Sequence, residues 1–238
     1  MVESPFSVAH ERRFPTAAAM TEALVADISA ALQSGLAAGR GASLVVPGGH
    51  TPVPVFEQLS CAELDWEDVW ITLGDERWVD TASPASNERL VREHLLRNEA
   101  ARANFVGLKN SAPEPASGAA AAWSALADLP RPFDFMLLGM GEEGHTASLF
   151  PDSPGIAAAL DLAQRPGCVP MQASQSPRQR LSLNLRALLD SRRIALLIAG
   201  QAKWDAYQQA LQRGPLDEMP VRALFHQQNV PVSVYWSP

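Results

Sequence analysis

The residue types best suited to chemistry fall in four short glycine-bearing segments: Pro47-Gly48-Gly49-His50-Thr51-Pro52, Gly74-Asp75-Glu76-Arg77-Trp78-Val79, Gly139-Met140-Gly141-Glu142-Glu143-Gly144-His145-Thr146 and Gly200-Gln201-Ala202-Lys203. In the third, His145 follows two glutamates. A histidine held by a carboxylate is suited to take a proton from water, because the partner fixes its tautomer and raises its basicity. A purely structural histidine is the competing reading. A metal centre built from Glu142, Glu143 and His145 is disfavoured, since no second histidine stands at helical spacing. In the second segment Arg77 can fork onto a carboxylate or a phosphate; a surface ion pair with Glu76 is the alternative. In the first, Gly48 and Gly49 let backbone N–H groups approach a ligand, and a helix starting at Pro52 would aim its positive end at an anion. The same residues would also serve as a plain turn. The loop lacks the lysine of a nucleoside-triphosphate site. Arg178, Arg180 and Lys203 add positive charge nearby, unless they are simply solvated surface cations.

Covalent acyl chemistry finds no support: there is no G-x-S-x-G elbow, and neither cysteine has a neighbouring histidine in sequence. Any hydrolysis would use activated water. The other histidines, His10, His94 and His226, have no motif around them and are read as structural.

The elements that must position these residues follow from the hydrophobic pattern. Short apolar runs ending in glycine or polar turns alternate with segments of helical period, which predicts an α/β fold with a mostly parallel central sheet flanked by helices. Strands are predicted at residues 43–46, 69–73, 133–138, 181–184, 194–198 and 231–235, with a weaker one at 104–107. Helices are predicted over 16–38, 53–59, 87–96, 116–127, 201–212 and 221–225. Residues 110–118, with two prolines, read as a surface loop. Pro151 limits any helix after His145 to a turn or two. All four glycine-bearing segments follow predicted strands, and a parallel sheet binds ligands at the carboxyl ends of its strands, so the four can face one crevice.

The whole chain bounds these readings. It has 238 residues, 47% hydrophobic and 19% charged, with 19 Lys and Arg against 26 Asp and Glu for a net charge of -7. That is the composition of one globular domain, here read as residues 1–238. Its most apolar run, Ile194 to Ala199, is too short for a membrane span. The acidic balance and the lack of a Lys/Arg run oppose nucleic-acid binding. The start of the chain shows no basic region followed by an apolar one, so the cytoplasm is the expected compartment. Cys61 and Cys168 are read as packing residues rather than a disulfide or zinc framework.

In this order the motifs resemble those of the 6-phosphogluconolactonase family, within the glucosamine-6-phosphate isomerase/6-phosphogluconolactonase superfamily. Its members carry S-G-G-S-T-P, G-D-E-R-x-V, S-N, L-G-x-G-x-D-G-H-T-A-S-L-F-P, R-I-T-x-T and G-x-x-K. Here the counterparts are residues 47–52, 74–79, Ser86-Asn87, Leu138 to Pro151, Arg180 to Asn184 and Gly200 to Lys203. The run from Gly144 to Pro151 is the most specific. Departures are Pro47 and His50 in place of serines, Glu143 in place of aspartate, and Ser182 in place of threonine.

The resemblance implies a Rossmann-like three-layer fold shared with glucosamine-6-phosphate deaminase and ribose-5-phosphate isomerase. It also implies hydrolysis of 6-phospho-D-glucono-1,5-lactone to 6-phosphogluconate without metal or organic cofactor, in a monomer or small homo-oligomer whose partner is the small phosphorylated sugar lactone. By motif position, His145 would activate water, with Asp75 and Glu143 among the carboxylates able to orient it, and Arg77 would hold the lactone or its developing charge. Gly48, Gly49, His50, Thr51, Arg180 and Lys203 would hold the phosphate, and Asn87 would touch the sugar. The alternatives are a sugar-phosphate isomerase or deaminase, against which stands Phe150 where deaminases place a glutamate, and a sugar-phosphate-binding module without turnover. The residues before Ser43 offer one strand and one long helix, too little for a DNA-binding domain.

Overall fold

Apolar runs of five or six residues, too short for helices and rich in Val, Ile and Leu, build the parallel sheet at the centre of the protein. The computed structural model describes residues 8–238. Along the chain the elements are β1 (Val8–Arg13), α1 (Ala17–Ala37), β2 (Ala42–Val46), α2 (Val53–Leu59), β3 (Val69–Leu73), β4 (Asp75–Arg77), α3 (Asn87–His94), β5 (Asn104–Val106), α4 (Pro115–Ala125), β6 (Phe135–Gly139), α5 (Ile156–Leu160), β7 (Cys168–Gln172), β8 (Gln179–Leu183), α6 (Leu185–Leu188), β9 (Ile194–Ala199), α7 (Gln201–Ala210), α8 (Arg222–Phe225) and β10 (Val232–Ser237). The stretch Met1 to Ser7, which carries most of the segment searched for an export signal, lies outside the described residues. Among the described residues no helix is long and apolar enough to cross a membrane.

Seven strands pair in the order β1-β10-β9-β6-β2-β3-β5, every pair parallel. The order reverses between β2 and β6, where a switch point of the Rossmann kind is expected. Burial is continuous along β2 and covers β9 up to Ala199, as a sheet covered on both faces requires. Helix α1 packs on β2, β6 and β10, and α7 packs on β9. Thr16 starts α1 by accepting from the N–H of Ala19 at 3.2 Å. Trp66, Phe56, Phe133, Tyr207 and Phe225 are among the largest fully buried side chains. At the amino end of β6 the buried Asp134 carboxylate accepts from the backbone N–H of Ser43 at 2.9 Å and is gripped by Arg40.

The structure corrects several expectations. Residues 74–79 are not a free loop, because Asp75–Arg77 forms β4, and the predicted strand at 181–184 belongs not to the main sheet but to β8. With β7 these make a second, antiparallel sheet in the order β4-β8-β7. No helix follows His145 directly: Thr146 and Leu149 form an isolated bridge, Ala147 takes a left-handed φ of 49°, and the next helix is α5. The loop after Asn110 is shorter than expected, because Pro115 opens α4 where its missing N–H needs no partner. Cys168 is buried as expected, whereas Cys61 is exposed and receives the side-chain N–H of Asn98 at 3.3 Å.

Candidate active site

The carboxyl ends of β2, β3, β6 and β9 open onto one crevice of about 460 Å³. All eleven residues expected at the site line it: Gly48, Gly49, His50 and Thr51 after β2, Asp75 and Arg77 on β4, Asn87 at the start of α3, Glu143 and His145 after β6, Arg180 on β8, and Lys203 in the first turn of α7. Arg178 is not part of the lining and is exposed.

His145 Nδ1 lies 2.7 Å from Glu143 Oε1. With the carboxylate accepting from Nδ1–H, the lone pair sits on Nε2. Of Asp75, Glu76, Glu142 and Glu143, Glu143 is the acid hydrogen-bonded to the imidazole. The hydrogen bond from His145 holds the Glu143 carboxyl below its ordinary value; partial burial opposes this, and the charges of His145 and Lys203 assist. The loop closes on itself through Gly141 N–H to His145 O and Gly144 N–H to Gly141 O, each 3.0 Å. Gly141 has no room for a side chain: a Cβ there would come within 2.2 Å of His145 Nδ1. Phe150 lies against the imidazole, ring centroids 4.5 Å apart, and Arg180 Cζ is 5.9 Å from the centre of the Phe150 ring.

Two cations line the same crevice. Arg77 and Arg180 are register partners across β4 and β8. Arg77 donates to Ala85 O at 2.8 Å, while Arg180 is 8% exposed and its Nε has no partner. Burial, then the like charge of Arg77, pull the Arg180 guanidinium below its ordinary value, with Asp75 and Glu76 opposing. A desolvated guanidinium facing a second one is unfavourable until an anion arrives.

The remaining acids have different tasks. Asp75 is 7% exposed and accepts from Ser148 Oγ. Glu76 is fully buried, so the surface pair with Arg77 does not exist; it accepts from the backbone N–H groups of Arg77, Asn87 and Glu88 at 2.7 Å and from Ser86 Oγ at 3.1 Å. It thereby satisfies first-turn donors of α3, although burial still leaves its carboxyl above the ordinary value. That cap holds Asn87, whose Nδ2 donates to Asp75 O at 2.8 Å and whose buried Oδ1 has no partner. Gly48 must be glycine here, since a Cβ would fall 1.9 Å from Asn87 Oδ1.

Sequence reasoning missed Ser148, Ser174 and Gln175 in the crevice wall. Ser148 lies inside the recognised motif. Ser174 and Gln175 follow β7, a strand whose Pro170 hides it from pattern reading and which is an edge strand, where proline is tolerated.

The chain is similar to proteins of one family throughout. The sequence profile for glucosamine-6-phosphate isomerases/6-phosphogluconolactonase matches residues 15–236. A 6-phosphogluconolactonase of Pseudomonas putida is 43% identical over 90% of this chain and 87% of its own length, and one of Pseudomonas aeruginosa is 43% identical over 94% and 92%. The crystal structure of a 6-phosphogluconolactonase from Shewanella baltica superposes with a TM-score of 0.92 at 44% identity, covering 96% of this chain and 97% of that one. With the strand order, the closed His145 loop and these likenesses together, the chain belongs to the glucosamine-6-phosphate isomerase/6-phosphogluconolactonase family.

Proposed function

We propose that the crevice hydrolyses 6-phospho-D-glucono-1,5-lactone to 6-phosphogluconate, the lactone-opening step of the oxidative pentose phosphate pathway. The observation that carries this reading is the Glu143-His145 pair at 2.7 Å, lining the same crevice as Arg77 and the buried Arg180, whose Nε has no partner. His145 Nε2 takes a proton from water as the water oxygen bonds to C1. Arg77 offsets the charge that develops on the carbonyl oxygen. When the tetrahedral intermediate collapses, the C1–O5 bond breaks and the imidazolium returns a proton to the ring oxygen, leaving a carboxylic acid that ionises. Glu143 keeps Nδ1–H engaged throughout and stabilises the imidazolium that forms.

Arg180, Lys203 and the backbone of Gly48 to Thr51 hold the phosphate. His50 adds a ring N–H donor where the family has a serine hydroxyl. Asn87 Oδ1, buried and without a partner, accepts from a sugar hydroxyl. Asp75, fixed by Ser148, shapes the wall beside Arg77. Phe150 packs on the imidazole at the position where deaminases place a glutamate, which weighs against an isomerase or deaminase.

The test is the rate of lactone loss with and without protein, for 6-phosphogluconolactone and for unphosphorylated gluconolactone. Acceleration confined to the phosphorylated lactone is expected. No acceleration above the spontaneous rate overturns the reading.

A further inference from the structure

The Glu143-Gly144-His145 loop is tied to a segment that no motif covers. Between α7 and α8 the chain runs exposed from Gln212 to Glu218, then turns inward at Met219. Val221 N–H donates to Gly144 O at 2.9 Å. The Met219 side chain lies flat along Gly144: a Cβ at that glycine would sit 2.3, 3.1 and 3.3 Å from Met219 Cγ, Cε and Cβ. The buried Arg222 secures the segment from behind, donating to Pro215 O at 3.0 Å with its guanidinium pressed on Gly214. The hydrogen bonds inside the His145 loop close it on itself; these contacts fix it to the body of the protein.

We propose that Met219 and Arg222 are positioning residues for the base: they brace Gly144 from outside and so hold the Glu143-His145 pair at its working geometry. This rests on the role given to His145 above. Its physical basis is that a glycine-rich loop has many accessible conformations, and a misplacement of about 1 Å at a reacting group costs on the order of 100-fold in rate.

The test compares Met219→Ala with Met219→Leu, which keeps the volume. Met219→Ala is expected to lose about tenfold or more in kcat, with KM changed less than about twofold, and Met219→Leu to recover most of it. In a His145→Ala background Met219→Ala is expected to change the residual rate less than about twofold, because two residues acting through one group are not additive. The hydrogen-bonded Nδ1 proton of His145, observed by NMR, is expected to shift or broaden in Met219→Ala, a readout that stands even without turnover. If Met219→Ala does not fold, Arg222→Met reads the same kcat and KM split. Unchanged kcat with an unchanged Nδ1 signal, or full additivity with His145→Ala, overturns the brace. A wild type without turnover overturns the functional reading instead.

Discussion

Arg180 carries its charge at a place where the unliganded protein gains little from it. It is buried, its Nε has no partner and Arg77 stands directly across the sheet. Replacing such a group with an apolar side chain of similar length is often neutral or stabilising. Arg180→Met is therefore expected to keep or raise the melting temperature while raising KM for the phosphorylated lactone about tenfold or more, as loss of a charge-assisted contact does. A fall in both stability and kcat with KM unchanged would contradict this. Beside His145, the Glu143 carboxyl is held below the ordinary value and so stays ionised to lower pH than a free carboxylate. The acid side of the kcat/KM profile should then report loss of activity on uptake of a single proton, at Nε2; activity that rises toward acid, or falls on uptake of two, contradicts the assignment. The same lowered value adds to stability only above the ordinary carboxylate range, and that share is lost as pH falls through it. Half-exposed, it is small. The shared crevice position of His145, Arg77 and Lys203 was legible in the sequence because each stands a few residues beyond the end of a predicted strand. The partner of His145 was not, since Asp75, Glu76, Glu142 and Glu143 are equivalent until the chain is folded.

The elements divide by what fixes them. Helix α2 and strand β3 fall where the pattern puts them, Val53–Leu59 and Val69–Leu73, because burial alone decides them. Strand β4 does not announce itself: Asp75, Glu76 and Arg77 have no apolar alternation, and the strand exists by pairing with β8. Its central residue caps a helix from the neighbouring strand, a long-range contact that capping rules based on local spacing do not find. Glu76→Gln should turn an amide N–H₂ toward one or more of the backbone donors. The expected loss is about 1–3 kcal/mol of stability, read as a lower melting temperature together with a raised KM as Asn87 loses its anchor. A variant as stable as wild type would show that the cap is not what holds α3.

Across the whole molecule the two sheets share the work. The parallel sheet presents the Gly48-Gly49 loop, the His145 loop and Lys203 at its carboxyl end, and the small antiparallel sheet brings Arg77 and Arg180 into the same crevice. Alternation of strands and helices made the first sheet legible. The second is assembled from chain segments about a hundred residues apart, Asp75–Arg77 against Gln179–Leu183, and no local pattern encodes that. At the opposite end of the main sheet, where β6 begins, Asp134, 2% exposed, joins β2 to β6 beside Arg40 and Arg192. Asp134→Ala strands the buried Ser43 N–H and removes the partner of the half-exposed Arg40, and is expected to cost about 1–3 kcal/mol while leaving the KM of the folded enzyme unchanged; a melting temperature equal to wild type would contradict it. The proposed hydrolysis runs through one base, His145. The most direct measurement is the turnover of 6-phosphogluconolactone by His145→Ala beside its binding of 6-phosphogluconate. In that variant kcat is expected to fall by about 100-fold or more with product affinity retained through Arg180 and Lys203, and full turnover would contradict a base at His145.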